Sequence, residues 1–202
     1  MHRKAINHLT KTDESLGEII RRVGPCRLAM QTDGSHFGHI MRSIVYQQLS
    51  GKAAATIFSR VVALYPNQEL TPAAVMKTPH AKLRAAGLSE RKAQYVVELA
   101  ARTHSGELAV ESLHELDDDA VIDTLVKVRG IGRWTAQMVL MFRLGRPDIL
   151  PELDLGVQKA VQKMRRMRKL PTPEKLQKIG ESWAPYRTVA SWYLWRSLEL
   201  SE

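Results

Sequence analysis

Cysteine is almost missing from this chain: Cys26 is the single one in 202 residues. It permits no intrachain disulfide, no cysteine-rich zinc site and no four-cysteine iron–sulfur cluster. Glycine and proline are sparse, at 12 and 9, which excludes collagen-like and low-complexity chains. No apolar run approaches the ~20 residues that a bilayer-spanning helix needs. The N-terminal stretch from His2 to Gly17 has no apolar segment of the secretory kind. Neither membrane attachment nor export is expected. Acidic residues are in deficit, 21 against 30 Lys+Arg, for a formal net charge of +9. Such a surplus favours a polyanionic partner, because phosphate contacts release counterions. A basic protein with no such partner is the alternative, and charge alone does not separate the two. A hydrophobic share of 44% and a charged share of 25% are ordinary for a globular chain and argue against disorder.

Strand patterns are nearly absent and helical periodicity recurs, so the expected fold class is all-α, with nine or ten helices. Phe37, Ile40, Met41, Ile44 and Val45 follow the spacing of one buried helical face. Ile57, Phe58, Val61, Leu64 and Tyr65 repeat it after the Ser50-Gly51 interruption. Pro72 and Pro79 open short helices. Ser89 reads as the N-cap of a helix that turns Ala93, Val96, Val97 and Ala100 inward. A further helix runs from about Leu116 to Val128, with Asp117, Asp118 and Asp119 at its positive end. Helices are also expected near 155–168, 173–183 and 186–199. Gly145, Pro147 and Pro151 mark the main break. Residues 36–146 are expected to form one helical subdomain, and 1–35 with 147–202 a second, flanking a shared cleft.

The most informative stretch is Val128-Arg129-Gly130-Ile131-Gly132-Arg133, a turn between two apolar helices. Glycines permit positive φ and close approach to the backbone. The N–H groups that open the second helix suit a phosphate, and Arg129 and Arg133 add charge. A tight turn with no ligand is the alternative, favoured if the glycine pair stood alone. It does not stand alone. KVRGIGRWTAQMVL followed by DILPELDLGVQKA resembles the helix-hairpin-helix (HhH-GPD) superfamily of base-excision DNA glycosylases. SIVYQQLSGKAA, AAGLSERKAQYVVELA and WAPYRTVASWYLW resemble elements of its alkylation-repair branch, the 3-methyladenine DNA glycosylase II (AlkA-type) enzymes. The similarity runs in order over about residues 35–197. It implies the compact form, without the β-rich N-terminal domain of larger members.

The resemblance places the catalytic carboxylate on Asp154. Read alone, Asp154 is an N-cap for the following helix, and Glu152 is its rival as the acid. A fixed anion beside the sugar stabilises an oxocarbenium-like transition state, and it can orient an attacking water. A cationic alkylated purine leaves as a neutral base, so one carboxylate suffices where sugar glycosidases use two. Lyase members hold a Schiff-base lysine at the position of Trp134, so the resemblance implies a monofunctional enzyme. The substrate that the resemblance implies is double-stranded DNA with alkylated bases of the 3-methyladenine and 7-methylguanine type. The alternatives are a same-fold enzyme for deaminated or oxidised bases, and a DNA-binding module without catalysis.

Flipped bases stack on aromatic faces, and a cationic base gains a cation–π attraction. By the resemblance Trp134 and Trp195 line the base pocket, with Tyr46 and Met138 as weaker candidates; Trp183 and Trp192 read as core. Arg129, Gly130, Gly132, Arg133 and Thr135 are the expected DNA-binding residues. Gln48 and Leu49 are the expected plug for the emptied stack, although these residues also suit a plain helix end. The carbonyls of Val126, Val128 and Ile131 are implied to hold a structural Na+ or K+. No cofactor is required, and an iron–sulfur cluster is excluded. His36 and His39 lack a third metal ligand and read as surface or capping residues. The basic run Lys163, Arg165, Arg166, Arg168 and Lys169 fits either DNA or solvent. The chain is expected to act as a monomer, in the bacterial cytoplasm on the nucleoid or in a nucleus.

Overall fold

A computed structural model describes residues 2–200. Among them lie twelve α-helices, three short 3-10 turns and no strand. The helices are α1 (Arg3–Thr12), α2 (Glu14–Val23), α3 (His36–Tyr46), α4 (Gly51–Val62), α5 (Pro72–Met76), α6 (His80–Ala85), α7 (Glu90–His104), α8 (Asp118–Leu125), α9 (Arg133–Phe142), α10 (Leu155–Met164), α11 (Pro173–Gly180) and α12 (Arg187–Ser197). The chain divides into two compact units, a terminal one of Met1–Met30 with Gly145–Glu202 and a central one of Gln31–Leu144.

In the central unit α3 supplies the core. Ile40, Met41, Ile44 and Val45 are fully buried and Phe37 nearly so, each such side chain contributing roughly 1.5–3 kcal/mol of apolar burial. Packed against α3 are α4, α7 and α9, while α5 and α6 lie on α7, and α8 on α9. The expected face of α4 is only partly realised. Val61 and Tyr65 are buried, Ile57 and Phe58 half-buried, and Leu64 exposed. Periodicity names a face without fixing how deep it sits, and here Ala54 takes the inner position. Along α7, Leu99 is buried and Val97 only half so.

Local signals set the helix ends. Ser89 accepts from the Lys92 N–H at 3.3 Å and Asp117 from the Ala120 N–H at 2.8 Å, each satisfying a donor that a helix start leaves open. Asp118 and Asp119 fall in the first turn of α8. That helix stops at Leu125, short of the expected Val128, because the chain must turn before Gly130, which has φ +89°.

The terminal unit packs α2 against α1 and α12, and α10 against α12. Trp183 and Tyr193 are its largest fully buried side chains, beside Leu9, Leu16, Val157 and Leu176. Asp13 organises one side of this core. One carboxylate oxygen caps α2 through the Leu16 N–H at 3.1 Å, and the other accepts from the Trp183 indole at 2.8 Å and from the Arg165 guanidinium. The separate helices α1 and α2 go beyond the expected set. Their break is this Asp13, an extended residue at φ −145° that ends one helix and caps the next.

Candidate active site and nucleic-acid interface

In the terminal unit the turn Pro151–Asp154 delivers a carboxylate to the start of α10. Asp154 Oδ1 accepts from the Val157 N–H at 2.8 Å and from the Trp195 indole N–H at 2.8 Å. The helix start and α12 thus fix the rotation of one carboxylate together. Gly156 makes the approach possible. A Cβ there would stand 3.0 Å from both Asp154 Oδ1 and Trp195 Cδ1. Asp154 and Trp195 are half-exposed, whereas Glu152 is 5% exposed. Of the two acids, only Asp154 is open to a substrate. Leu153 and Leu155, 51% and 52% exposed, flank it. Trp183 lies in the core, fully buried. Trp192 is half-buried against the edge of Tyr193.

In the central unit, α8, the turn Val126–Gly132 and α9 form a helical hairpin. Gly130 has a positive φ, and a Cβ on it would overlap the Tyr95 ring. No other residue type fits there. Gly132 is the N-cap of α9 and has no side chain with which to accept from the first-turn N–H groups. Arg133 follows, exposed. Arg129 is not a loose cation: it donates to Gln94 at 3.0 Å, pairs with Glu98 at 3.8 Å and lies over Tyr95. Trp134 and Met138, four apart, share a half-exposed stripe of α9, whereas Thr135, Ala136, Gln137, Val139 and Leu140 are buried. The Thr135 hydroxyl accepts from Gln47 at 3.0 Å. Tyr46 carries the Arg42 guanidinium over its ring at 4.0 Å and meets Phe58 edge-on. One face of that ring is therefore already taken.

Gln48 and Leu49 form an exposed tip between α3 and α4; Gln48 has φ +56° and Leu49 is 40% exposed. Val128 and Ile131 are buried and Val126 is 40% exposed. The Val128 carbonyl accepts from the Ile131 N–H at 3.0 Å, which leaves it a second lone pair. Among the described residues no group of three or more His, Cys, Asp or Glu is placed to hold a metal. His36 accepts from Arg143 at 2.6 Å, and His39 lies 2.6 Å from the Asp33 carbonyl. Burial lowers the pKa of both rings. A cavity of about 820 Å³ opens beside the start of α3, lined by Phe37, His39, Phe58 and Leu70. Neither Asp154 and Trp195 nor the Arg129–Arg133 turn, Trp134 or Met138 lines it.

Sequence reading alone missed the parts of Gln47, Lys92, Tyr95 and Gly156. All four stand inside the quoted motifs, so the signal was present without its meaning.

Residues 41–185 match the family described as HhH-GPD superfamily base excision DNA repair protein. The chain is 33% identical over 202 residues to DNA-3-methyladenine glycosylase 1 of Schizosaccharomyces pombe, covering 98% of this chain and 89% of that one. It is 32% identical over 200 residues to the putative DNA-3-methyladenine glycosylase YfjP of Bacillus subtilis, covering 96% and 68%. The structure of the Schizosaccharomyces pombe 3-methyladenine DNA glycosylase Mag1 in complex with abasic DNA superposes with a TM-score of 0.88 at 33% identity, over 98% of both chains. No described helix is long and apolar enough to cross a membrane. With its helical hairpin, its two helical units and a family match that covers most of its length, the chain belongs to the HhH-GPD superfamily of base excision DNA repair proteins.

Proposed function

We propose that this protein is a monofunctional DNA glycosylase that removes alkylated bases from duplex DNA. The observation that carries the reading is Asp154, fixed by the Val157 N–H and the Trp195 indole, in a chain whose relatives are named 3-methyladenine glycosylases. The Asp154 anion stabilises positive charge as it grows on the sugar, and orients the water that completes hydrolysis. A methylated purine of the 3-methyladenine or 7-methylguanine type departs as a neutral base, so no second carboxylate is needed as an acid. Trp134 offers an indole and no amine, so no Schiff base forms there and the product is an abasic site.

DNA is held by the hairpin. The Arg129–Arg133 backbone and the start of α9 receive a phosphate, with Arg133 adding charge, while Arg129 braces the turn. Trp134 and Met138 on α9 supply stacking and cation–π attraction for the flipped base, and Trp195 beside Asp154 offers an indole face of its own. Gln48 and Leu49 enter the gap it leaves. The carbonyls of Val126, Val128 and Ile131 are neutral oxygen donors of the kind that suit Na+ or K+. Such an ion would join hairpin to phosphate and take no part in bond cleavage. The protein works as a monomer where the chromosome lies, in a bacterial cytoplasm or a nucleus.

The test is release of free base from methylated duplex DNA, followed by chromatography. The expected products are 3-methyladenine and 7-methylguanine, with the DNA strand intact until treated with alkali. Release of only deaminated or oxidised bases from matching duplexes moves the enzyme to another substrate class. Tight binding with no release makes the chain a DNA-binding module.

A further inference from the structure

Gln47 immediately precedes the exposed Gln48-Leu49 tip, yet its side chain reaches the hairpin. Its Nε2 donates to the Gly130 carbonyl at 2.8 Å and to the Thr135 hydroxyl at 3.0 Å. One acceptor lies in the Gly-Ile-Gly turn and the other in the first turn of α9. Its own carbonyl is held from another side. The Lys92 ammonium donates at 2.7 Å to the Val45 carbonyl and at 2.7 Å to the Gln47 carbonyl. These stand at the end of α3, where a helix leaves carbonyls without intrahelical partners. Burial pushes the Lys92 pKa down, and the two carbonyls offset part of that desolvation.

The hairpin is braced by the same helix. Lys92 and Tyr95 both belong to α7, and the Tyr95 ring packs against Gly130 so closely that no Cβ fits between them. α7 therefore supports the loop through Lys92 and the hairpin through Tyr95. Gln47 joins the two directly. Gln48 meanwhile sits at φ +56°, a backbone state that a non-glycine residue keeps only where its surroundings impose it.

We propose that Gln47 is a positioning residue that ties the Gln48–Ser50 tip to the hairpin, so that the hairpin's grip on a DNA phosphate sets where the tip enters the base stack. The inference rests on the glycosylase reading above and deepens it. Gln47 need not touch DNA. It converts two contact points into one rigid reader, in which a phosphate held at one end fixes the register of the side chain delivered at the other. Misplacing a reacting group by about 1 Å from a remote site costs up to about 10²-fold in rate. Loosening the tip acts in the same way on base flipping.

The experiment uses the full chain, Gln47→Leu, and Lys92→Met as a second variant that loosens the tip without touching the hairpin acceptors. A duplex carrying an abasic analogue beside 2-aminopurine reports tip insertion by fluorescence, and methylated DNA reports single-turnover excision. Amide hydrogen exchange over residues 126–135 reports the link with no DNA present. Gln47→Leu should exchange faster over 126–135, bind undamaged duplex within about threefold of wild type with the same salt slope, and lose insertion signal and excision together by at least about tenfold. Lys92→Met should lower insertion while leaving hairpin exchange unchanged. Unchanged exchange and insertion in a folded Gln47→Leu protein overturn the proposal. So does an equal loss of duplex affinity and excision, which makes Gln47 a binding residue. Should the wild type excise no methylated base, the glycosylase reading fails, while the exchange measurement still decides the link.

Discussion

The Trp195 indole N–H donates to Asp154 Oδ1 at 2.8 Å, on the same oxygen that caps α10 through Val157. Residues 41 apart in the sequence thus share one carboxylate, and Trp195 does more than offer an aromatic face. An N-cap alone fixes one direction of the carboxylate. The second donor fixes its plane.

Trp195→Phe separates the two roles of that side chain, since it keeps a π face and loses the N–H. A hydrogen bond to a charged group contributes about 1.5–3 kcal/mol, so single-turnover excision should fall by roughly tenfold to a hundredfold. DNA affinity should hold within about twofold if the lost contact is internal. A Phe variant that cuts at the wild-type rate would show that the ring only stacks.

Gly156→Ala should damage the same pair without a change in charge. Its Cβ would sit 3.0 Å from Asp154 Oδ1 and 3.0 Å from Trp195 Cδ1, so the indole or the carboxylate must move. The expected result is a folded protein whose excision rate falls at least about tenfold, in line with the lost hydrogen bond. Normal excision by Gly156→Ala would mean that the pair tolerates displacement.

Gly130→Ala tests the hairpin. The new residue must hold φ +89° and overlap the Tyr95 ring. The left-handed backbone alone costs about 1–2 kcal/mol. Urea unfolding should show a loss of at least that size. Combining it with Tyr95→Ala should relieve the overlap but not the backbone cost. A fully restored double variant would remove backbone strain from the account.

Acid stability should depend on Asp148. Burial raises its pKa, but the bidentate Arg187 guanidinium at 2.7 Å and the Arg187 N–H outweigh this and leave it lowered. A carboxylate with a lowered folded pKa contributes stability above its unfolded value of about 3.9, and that contribution is lost as pH falls through the folded pKa. Arg187→Met should therefore lose more stability at pH 7 than at pH 3 in urea titrations. An equal loss at both values would assign the effect to packing.

Much of this molecule was legible because its signals are local. The α3 face, the cap at Ser89, the acidic start of α8 and the glycine turn each follow from residues within a few positions of one another. Asp154 was legible twice, as an N-cap and as a motif position. What escaped was contact across sequence distance. Nothing near Gln47 announces Gly130, 83 residues away, and nothing near Asp13 announces Trp183 and Arg165. The α1–α2 break at Asp13 was not foreseen, and neither was that residue's role as a core polar hub. Arg129 read as a DNA-binding residue, and its bracing role escaped because its partners, Gln94 and Glu98, lie on another helix.

The central claim is that Asp154 carries the chemistry. Its most direct test is single-turnover release of 3-methyladenine by Asp154→Asn, alongside Glu152→Gln, with DNA affinity measured for each. Removing one oriented electrostatic group lowers rates by about 10²–10³-fold. Asp154→Asn should fall by that factor and bind DNA at least as tightly as wild type, because a negative charge near phosphates has been removed. Glu152→Gln should retain excision wherever it folds. A near-normal rate in Asp154→Asn, with loss confined to a folded Glu152→Gln protein, would contradict the account.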